Sequence, residues 1–434
     1  MFSFKKAVAG VLSCTMLLSS LVISGCSNSD TSGSQSGADV NNNSGSQSST
    51  AHQGEIKDIS SVELVKDMKI GWSLGNTLDA GNESNRAQSP ETIEKSWGNP
   101  VTTKEMIDEV KKAGFNVLRI PTTWDWSTAR TEEYTISEEW LARVKEVVDY
   151  GMENDMYVIL NLHHETWHDP LEDNYEAASD RLKKVWTQIG NYFQDYDEHL
   201  IFEGLNEPRV RNSDEEWNGG SEATREVVNK LDADFVETIR SLGGNNKLRH
   251  LMIPAYAASS SEVALKALKI PENDDKIIVS VHAYIPYSFA LADKGSAKWI
   301  AASEGCIRDI DSLADLLKTM FVDKGQAVII GEFGARARTS KDNEDYRAQW
   351  ARYYVTKMKS IGVPCLWWDN GSFIGSGECF GLLDRYLLTW KYPAVVDALI
   401  SAANGEYDCE TLIAESKAEK EKKNSSTAES TSES

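Results

Sequence analysis

The stretch His199-Leu200-Ile201-Phe202-Glu203-Gly204-Leu205-Asn206-Glu207-Pro208-Arg209 runs apolar and then breaks into an amide, a carboxylate and a proline. Proline has no N–H for a sheet ladder, so a strand ends here and a loop begins. Glu207 is therefore expected at the end of a buried strand. Ala327-Val328-Ile329-Ile330-Gly331-Glu332-Phe333-Gly334 repeats the plan and delivers a second glutamate before a glycine. Burying carboxylates beside apolar strands costs free energy that no structural role obviously offsets. Two of them make the acid and nucleophile pair that cleavage of a glycosidic bond requires.

On either side of these stretches, strand and helix patterns alternate. Apolar runs at 70–74, 115–120, 156–162, 199–205, 251–254, 277–284, 327–332 and 365–369 read as strands. Between and after them, helical spacing of apolar residues covers 104–112, 137–154, 177–193, 222–242, a short turn near Val263, 312–324, 345–361 and 393–402. Strands that are apolar throughout are those of a parallel sheet covered on both faces. Eight strands, each followed by a helix, predict an α/β fold: a single eight-stranded parallel β/α (TIM) barrel. An open doubly wound sheet shares the alternation and is the competing architecture.

The ends of the 434-residue chain lie outside that pattern. Lys5-Lys6, an apolar run from Ala7 to Ile23 and Ser24-Gly25-Cys26 read as an export leader over 1–25. Its last residues resemble a lipobox, which makes Cys26 the expected lipidated N-terminus; an ordinary leader with a chance cysteine is the alternative. Residues 26–54 are Ser, Gly, Asn and Gln with few apolar side chains, a flexible tether with a reach of about 30 Å. From 414 to 434 the chain is Glu, Lys, Ser and Thr, expected as a charged disordered tail. The catalytic barrel is then 55–413. Cys306, Cys365, Cys379 and Cys409 remain for it, and their spacing assigns no disulfide. A net charge of −22 argues against nucleic acid and anionic lipid headgroups as partners and is compatible with neutral glycans.

In such a barrel the chemistry lies where strands end. Arg119, Asn161 and His163, Asn206 and Glu207, His282 and Tyr284, Glu332, and Trp368 fall at successive strand ends. Side chains two apart on a strand share a face, so His282 and Tyr284 should project together. Taken singly, a strand histidine is a hydrogen-bonded core residue and an arginine an ion-pair partner. Their recurrence at the same end of six of the eight strands is not a packing pattern. Arg119 is placed to keep Glu332 ionised.

His164-Glu165-Thr166-Trp167-His168 matches the zinc-protease pattern H-E-x-x-H, which binds metal only when a helix sets both histidines on one face. Here it follows a strand directly and precedes Asp169-Pro170, so a loop is expected, with no metal and no cofactor. Of thirteen tryptophans, Trp140, Trp186 and Trp350 lie in helical patterns, whereas Trp72, Trp97, Trp124, Trp126, Trp167, Trp217, Trp367 and Trp368 fall at strand ends or loops. Aromatic faces of this kind suit the C–H faces of pyranose rings.

The motifs Gly71-Trp72-Ser73-Leu74-Gly75-Asn76-Thr77-Leu78-Asp79, Trp97-Gly98-Asn99-Pro100, Leu118-Arg119-Ile120-Pro121, Leu162-His163-His164-Glu165, Asn206-Glu207-Pro208, His282-Ala283-Tyr284, Gly331-Glu332-Phe333-Gly334 and Trp367-Trp368-Asp369-Asn370-Gly371 resemble glycoside hydrolase family five. The likeness is greatest to its bacterial endoglucanase branch of cellulases and xyloglucanases, and it covers about 61–402. It implies a retaining endo-β-1,4-glucanase with Glu207 as acid/base and Glu332 as nucleophile. It also implies that Asn206 meets the sugar 2-hydroxyl, that Arg119, His163, His282 and Tyr284 line the site, that Trp368 underlies the sugar beside the scissile bond, and that Asn76 and Trp72 lie on the glycone side. Ser73 departs from the asparagine often found there.

For such a mechanism Glu332 must be a carboxylate and Glu207 a protonated acid, kept so by the like charge of Glu332. The expected partner is a β-glucan polysaccharide, acted on by a monomer held at the membrane through Cys26. Within the family, a xyloglucanase or mixed-linkage β-glucanase is the alternative. A sugar-binding transporter lipoprotein shares the lipobox, length and acidity, but has no need of two glutamates at the ends of strands four and seven.

Overall fold

The computed structural model describes residues 52–375 and 377–432. The expected leader, the Cys26 anchor and the tether as far as residue 51 lie outside them. Eight strands, β1 (Ile70–Leu74), β2 (Val117–Ile120), β3 (Tyr157–Asn161), β4 (Leu200–Glu203), β5 (Leu251–Ser259), β6 (Ile277–His282), β7 (Ala327–Phe333) and β8 (Cys365–Asp369), close in sequence order into a parallel barrel. Closure is direct: β1 pairs with β8 from Ile70↔Cys365 to Leu74↔Asp369, a contact an open sheet lacks. The doubly wound alternative is therefore out.

The barrel interior is layered, because alternate residues of each strand point inward. Val117, Ile159, Ile201, Met252, Ile278, Ala327, Ile329 and Leu366 form a lower apolar layer. Leu64, Val65 and Met68 close it from below. The first two belong to the helix Ser61–Asp67, which starts with a capping box between Ser60 and Glu63. Two residues further along the same strands come Arg119, Asn161, Glu203 and Ser280, all buried. This upper layer is polar, and it is the floor of the site.

Two irregularities aim residues at that floor. Register shifts between β6 and β7 at Val281/His282, and between β7 and β8 at Ile330/Phe333, turn Gly331 and Glu332 together toward the interior. A β-carbon on Gly331 would come within 2.7 Å of Ser280 Oγ and 3.1 Å of His282 Nε2, so only glycine leaves room there. β5 shifts register between Pro254 and Ser259, with Ala257 in the left-handed region at φ 56°. From there the Ala257 N–H donates to Pro208 O at 2.8 Å and fastens the loop after β4.

Helices shield the outside of the barrel. Glu138–Glu153 buries Trp140, Val144, Val147 and Val148, and Asn343–Ser360 buries Trp350, Tyr354 and Met358. A two-stranded ribbon, β9 (Leu383–Asp384) and β10 (Thr389–Trp390), follows β8. The four cysteines of this region are free thiols.

Three sequence expectations shift. The last residues of the expected tether pack on the barrel: Gln53 bridges Tyr196, and His52 contacts Asp155 and Asp197. The tail expected to be disordered continues as the helix Cys409–Ser432, whose first turns bury Leu412 and bond Ser416 Oγ to the Ala302 N–H. A composition too charged for a core is still rich in Ala, Glu and Lys, which favour helix. Finally, β4 stops at Glu203, so Asn206 and Glu207 stand on the loop beyond the strand. Among the described residues no helix is long and apolar enough to cross a membrane.

Candidate active site

Arg119 is the hub of the upper layer. Its guanidinium is fully buried and donates in three directions: Nε to Glu203 at 2.8 Å, Nη1 to Glu332 at 2.7 Å and Nη2 to Asn206 Oδ1 at 2.7 Å. Burial disfavours the cation, but the charges of Glu203 and then Glu332 outweigh it and hold the guanidinium's pKa above its ordinary value. Glu332 is gripped from the other side by Tyr284, whose hydroxyl donates at 2.9 Å. Burial, then the negative charges of Glu332 and Glu207, keep that phenol protonated. Two donors thus fix the Glu332 carboxylate, with its charge met by Arg119.

Glu207 faces Glu332 across the barrel mouth, and an oxygen of one lies within 4.8 Å of an oxygen of the other. Retaining glycosidases hold their carboxyl groups about 5–5.5 Å apart, whereas inverting ones leave about 6.5–9.5 Å for a water. His282 sits between them, Nδ1 at 2.9 Å from Glu207 Oε1 and 3.6 Å from Glu332 Oε2. Arg209 reaches Glu207 from outside, Nη1 donating at 3.3 Å.

The expectation that like charge keeps Glu207 neutral is corrected here. Burial does favour the neutral acid, but the His282 hydrogen bond, then the charges of His282, Arg209 and His164, bring its pKa below the ordinary range. For His282, burial favours the neutral ring and the negative charges of Glu332 and Glu207 overcome it, raising its pKa. The two titrate as a hydrogen-bonded pair, and both shifts favour the proton on the imidazole side.

His163 is buried and neutral, its pKa forced down by burial and then by the cationic charge of His164, Arg119 and His282. Asn161, oriented by the Thr122 N–H at its Oδ1 and by Glu203 at its Nδ2, donates to His163 Nδ1 at 3.1 Å. The His163 proton is therefore on Nε2. The ring stacks on Trp368 with centroids 5.4 Å apart and planes within 8°. Trp368 also packs on β1: a β-carbon at Gly75 would come within 2.8 Å of the indole, which puts Asn76 beside the platform. All seven expected lining residues and both glutamates thus converge on one mouth.

The tryptophans divide differently from the sequence reading. Trp72, expected on the glycone side, is fully buried and donates Nε1 to Asp369 Oδ2 at 2.9 Å. Trp124, Trp126 and Trp367 are core as well. Trp97, 41% exposed, lies against His164, and Trp217, 60% exposed, stacks on Arg209 with the guanidinium 4.2 Å from the ring centroid. Sequence reasoning also passed over Glu203, Arg209 and Glu378. Glu378, on the loop after β8, has its pKa raised by partial desolvation and then by the charges of Glu332 and Glu207. A glutamate inside the run Leu200–Glu203 was the one available signal for Glu203; nothing local marks Glu378.

The H-E-x-x-H segment is a loop, as expected. Glu165 accepts from the Trp124 N–H at 2.6 Å and from Trp167 Nε1 at 2.7 Å. Burial, then the charge of Asp125, pushes its pKa up to about 7. His168 is buried apart from His164, its pKa lowered to about 3 by burial. Among the described residues, convergent ligand atoms occur instead in Asp79–His163–His164, in His52–Asp197–His199 at the barrel base, and in the Glu207–His282–Glu332 set itself. In the first, the Nε2 proton of His163 opposes metal binding. In the second, both His52 nitrogens are hydrogen-bonded to aspartates.

A barrel whose mouth brings together two carboxylates, with oxygens within 4.8 Å of one another beyond strands four and seven, has the site of a glycoside hydrolase. The family model described as cellulase, glycosyl hydrolase family 5, matches residues 79–373, and the chain belongs to that family. It is 47% identical over 360 residues to Endoglucanase B of Neocallimastix patriciarum, covering 82% of this chain and 75% of that protein. Endoglucanase A of Ruminococcus albus is 45% identical, covering 81% and 95%. A solved GH5-4 broad specificity endoglucanase from Ruminococcus champanellensis, with bound cellotriose, superposes with a TM-score of 0.76 at 43% identity, covering 80% of this chain and 99% of that one. A family 5 lichenase from a Caldicellulosiruptor species gives 0.76 at 44% identity, covering 81% and 97%.

Proposed function

We propose that the chain is a retaining endo-β-1,4-glucanase of cellulose or related β-glucans in which Glu332 attacks the anomeric carbon and Glu207 is the acid/base. The observation that carries this is the carboxylate pair within 4.8 Å, one member clamped by Arg119 and Tyr284 and the other hydrogen-bonded to His282.

In the first step a Glu332 oxygen bonds to the anomeric carbon as the glycosidic C–O bond breaks, and the leaving oxygen takes the proton of the Glu207–His282 pair through Glu207. In the second, Glu207 takes a proton from water, which attacks the same carbon and frees Glu332. Arg119 and Tyr284 hold the Glu332 carboxylate in the orientation that this attack requires. Arg119 occupies Asn206 Oδ1, so the Asn206 amide N–H groups face the sugar 2-hydroxyl. His163 Nε2 donates to the same sugar, and Trp368 underlies it. Asn76 meets the glycone.

A mixed-linkage β-glucanase is the second reading, favoured by the likeness to a lichenase at 44% identity. We also propose export as a monomeric cell-surface lipoprotein anchored at Cys26, on the sequence alone. Palmitate labelling lost in Cys26→Ser supports the anchor, and an unlabelled wild type refutes it.

Reducing-end release from carboxymethylcellulose, xyloglucan and barley β-glucan, with Glu332→Gln and a chelator as controls, tests the reading. Cleavage that survives chelator and disappears in the variant supports it, and the preferred polymer identifies the substrate. Binding without cleavage returns the chain to the sugar-binding class.

A further inference from the structure

Glu203 lies beneath the reacting groups, fully buried, and contacts no space a substrate can enter. Its carboxylate accepts Arg119 Nε at 2.8 Å and Asn161 Nδ2 at 2.9 Å on Oε2, and Ser280 Oγ at 2.7 Å on Oε1. Three donors thus reach its two oxygens, one of them the Arg119 guanidinium, whose charge pairs with it. Its Oε1 is also 4.0 Å from His282 Nε2, and that nitrogen is buried without a hydrogen-bond partner. Through Arg119 it touches Glu332, and through the two sides of the His282 ring it faces Glu207.

We propose that Glu203 is a positioning residue whose charge has two targets: it locks Arg119 behind Glu332, and it keeps the proton shared by His282 and Glu207 from leaving. The proposal rests on the retaining mechanism above and adds a third glutamate to it. The charged and titratable groups around His282 are Glu203 and Glu207 from the β4 side, Glu332 from β7, Arg119 from β2 and His163 from β3. Arg119 and any charge on His163 oppose the imidazolium, and the three carboxylates favour it. Removing one nearby anion lowers the pH at which the pair gives up its last proton. The loss of activity at alkaline pH therefore begins earlier without Glu203.

Glu203→Gln separates charge from shape. The amide oxygen can still accept from Arg119 and Asn161, while its NH2 donates to the Ser280 hydroxyl, so every hydrogen bond survives and the charge does not. The experiment is the pH profile of kcat/KM on barley β-glucan for wild type, Glu203→Gln and Glu203→Asp, with thermal unfolding of each. The expected result is an alkaline limb displaced downward by about one pH unit or more in the Gln variant, from an anion near 4 Å from the ring. In the Asp variant the limb stays near the wild-type position while kcat falls. A residue with only a structural role would lower Tm or kcat in both and leave the limb in place; that result overturns the inference, as does a Gln variant that cannot fold. A wild type that cleaves no glucan would fail the functional reading itself, which separates the two failures.

Discussion

Ile201 and Glu203 stand two residues apart on one strand and point into the same barrel, yet they belong to opposite regimes. Ile201 is part of a layer closed by apolar contact alone, where burial stabilises in proportion to the area removed from water. Glu203 is part of a layer where burial itself is unfavourable and each charge depends on a named partner. The lower layer tolerates rearrangement because dispersion has no direction. The upper one does not, because Arg119 spends all its geometry on Glu203, Glu332 and Asn206 at once. One strand period, about 6.5 Å, separates a stabilising layer from a reactive one.

The widest gap between the layers should appear with Glu332→Gln. Without the nucleophile, kcat is expected to fall about 10⁴-fold or more while the melting temperature holds, measured by reducing-end assay beside calorimetry. A comparable fall in Tm would mean that the carboxylate is structural.

Arg119→Met is expected to hit both quantities. It leaves Glu203 and Glu332 as buried, unpaired carboxylates, at a cost of about 3–5 kcal/mol in denaturant unfolding, and lowers kcat by about 10²-fold or more through the disoriented nucleophile. An unchanged unfolding midpoint would contradict the paired-charge account of the upper layer.

In the lower layer the pattern reverses. Ile201→Ala should lose about 2–5 kcal/mol of stability by opening a cavity, with kcat/KM per folded molecule within about twofold of wild type at 25 °C. Activity lost in proportion to cavity volume would show that the two layers are mechanically coupled. The smallest effect belongs to the exposed rim: Trp217→Ala should raise KM on polymer by about three- to tenfold and leave Tm unmoved, since the ring rests on Arg209 and solvent. Equal KM values for wild type and variant would remove Trp217 from the substrate path.

Much of this was readable in the chain. Uninterrupted apolar strands alternating with amphipathic helices dictate a parallel sheet covered on both faces, and Pro208 and Gly334 mark the loops that follow β4 and β7. Arg119, His163, Asn206, His282, Tyr284 and Trp368 were legible because each is a polar or aromatic group left at such a stop. Trp72 misled for the same reason: it sits near a strand end, but its side chain points outward into the helices and bonds Asp369. Glu203 escaped because an isolated charge within a strand carries no local sign of which way it faces. Glu378 escaped because its loop reaches the site only through the fold. The tail helix escaped because composition reports on core formation better than on local helix propensity.

The sequence by itself determined the eightfold alternation of strand and helix and the position of the two glutamates and their polar companions after apolar runs, since periodicity and chain-breaking residues are local properties. Only the tertiary structure decided that β1 closes on β8, that Glu203 and Glu332 share one arginine, and that Glu207 is hydrogen-bonded to His282. Those facts depend on distances between atoms up to 297 residues apart, as from Trp72 to Asp369. In a low-dielectric interior an ångström changes which group holds a charge, and no linear pattern encodes that separation.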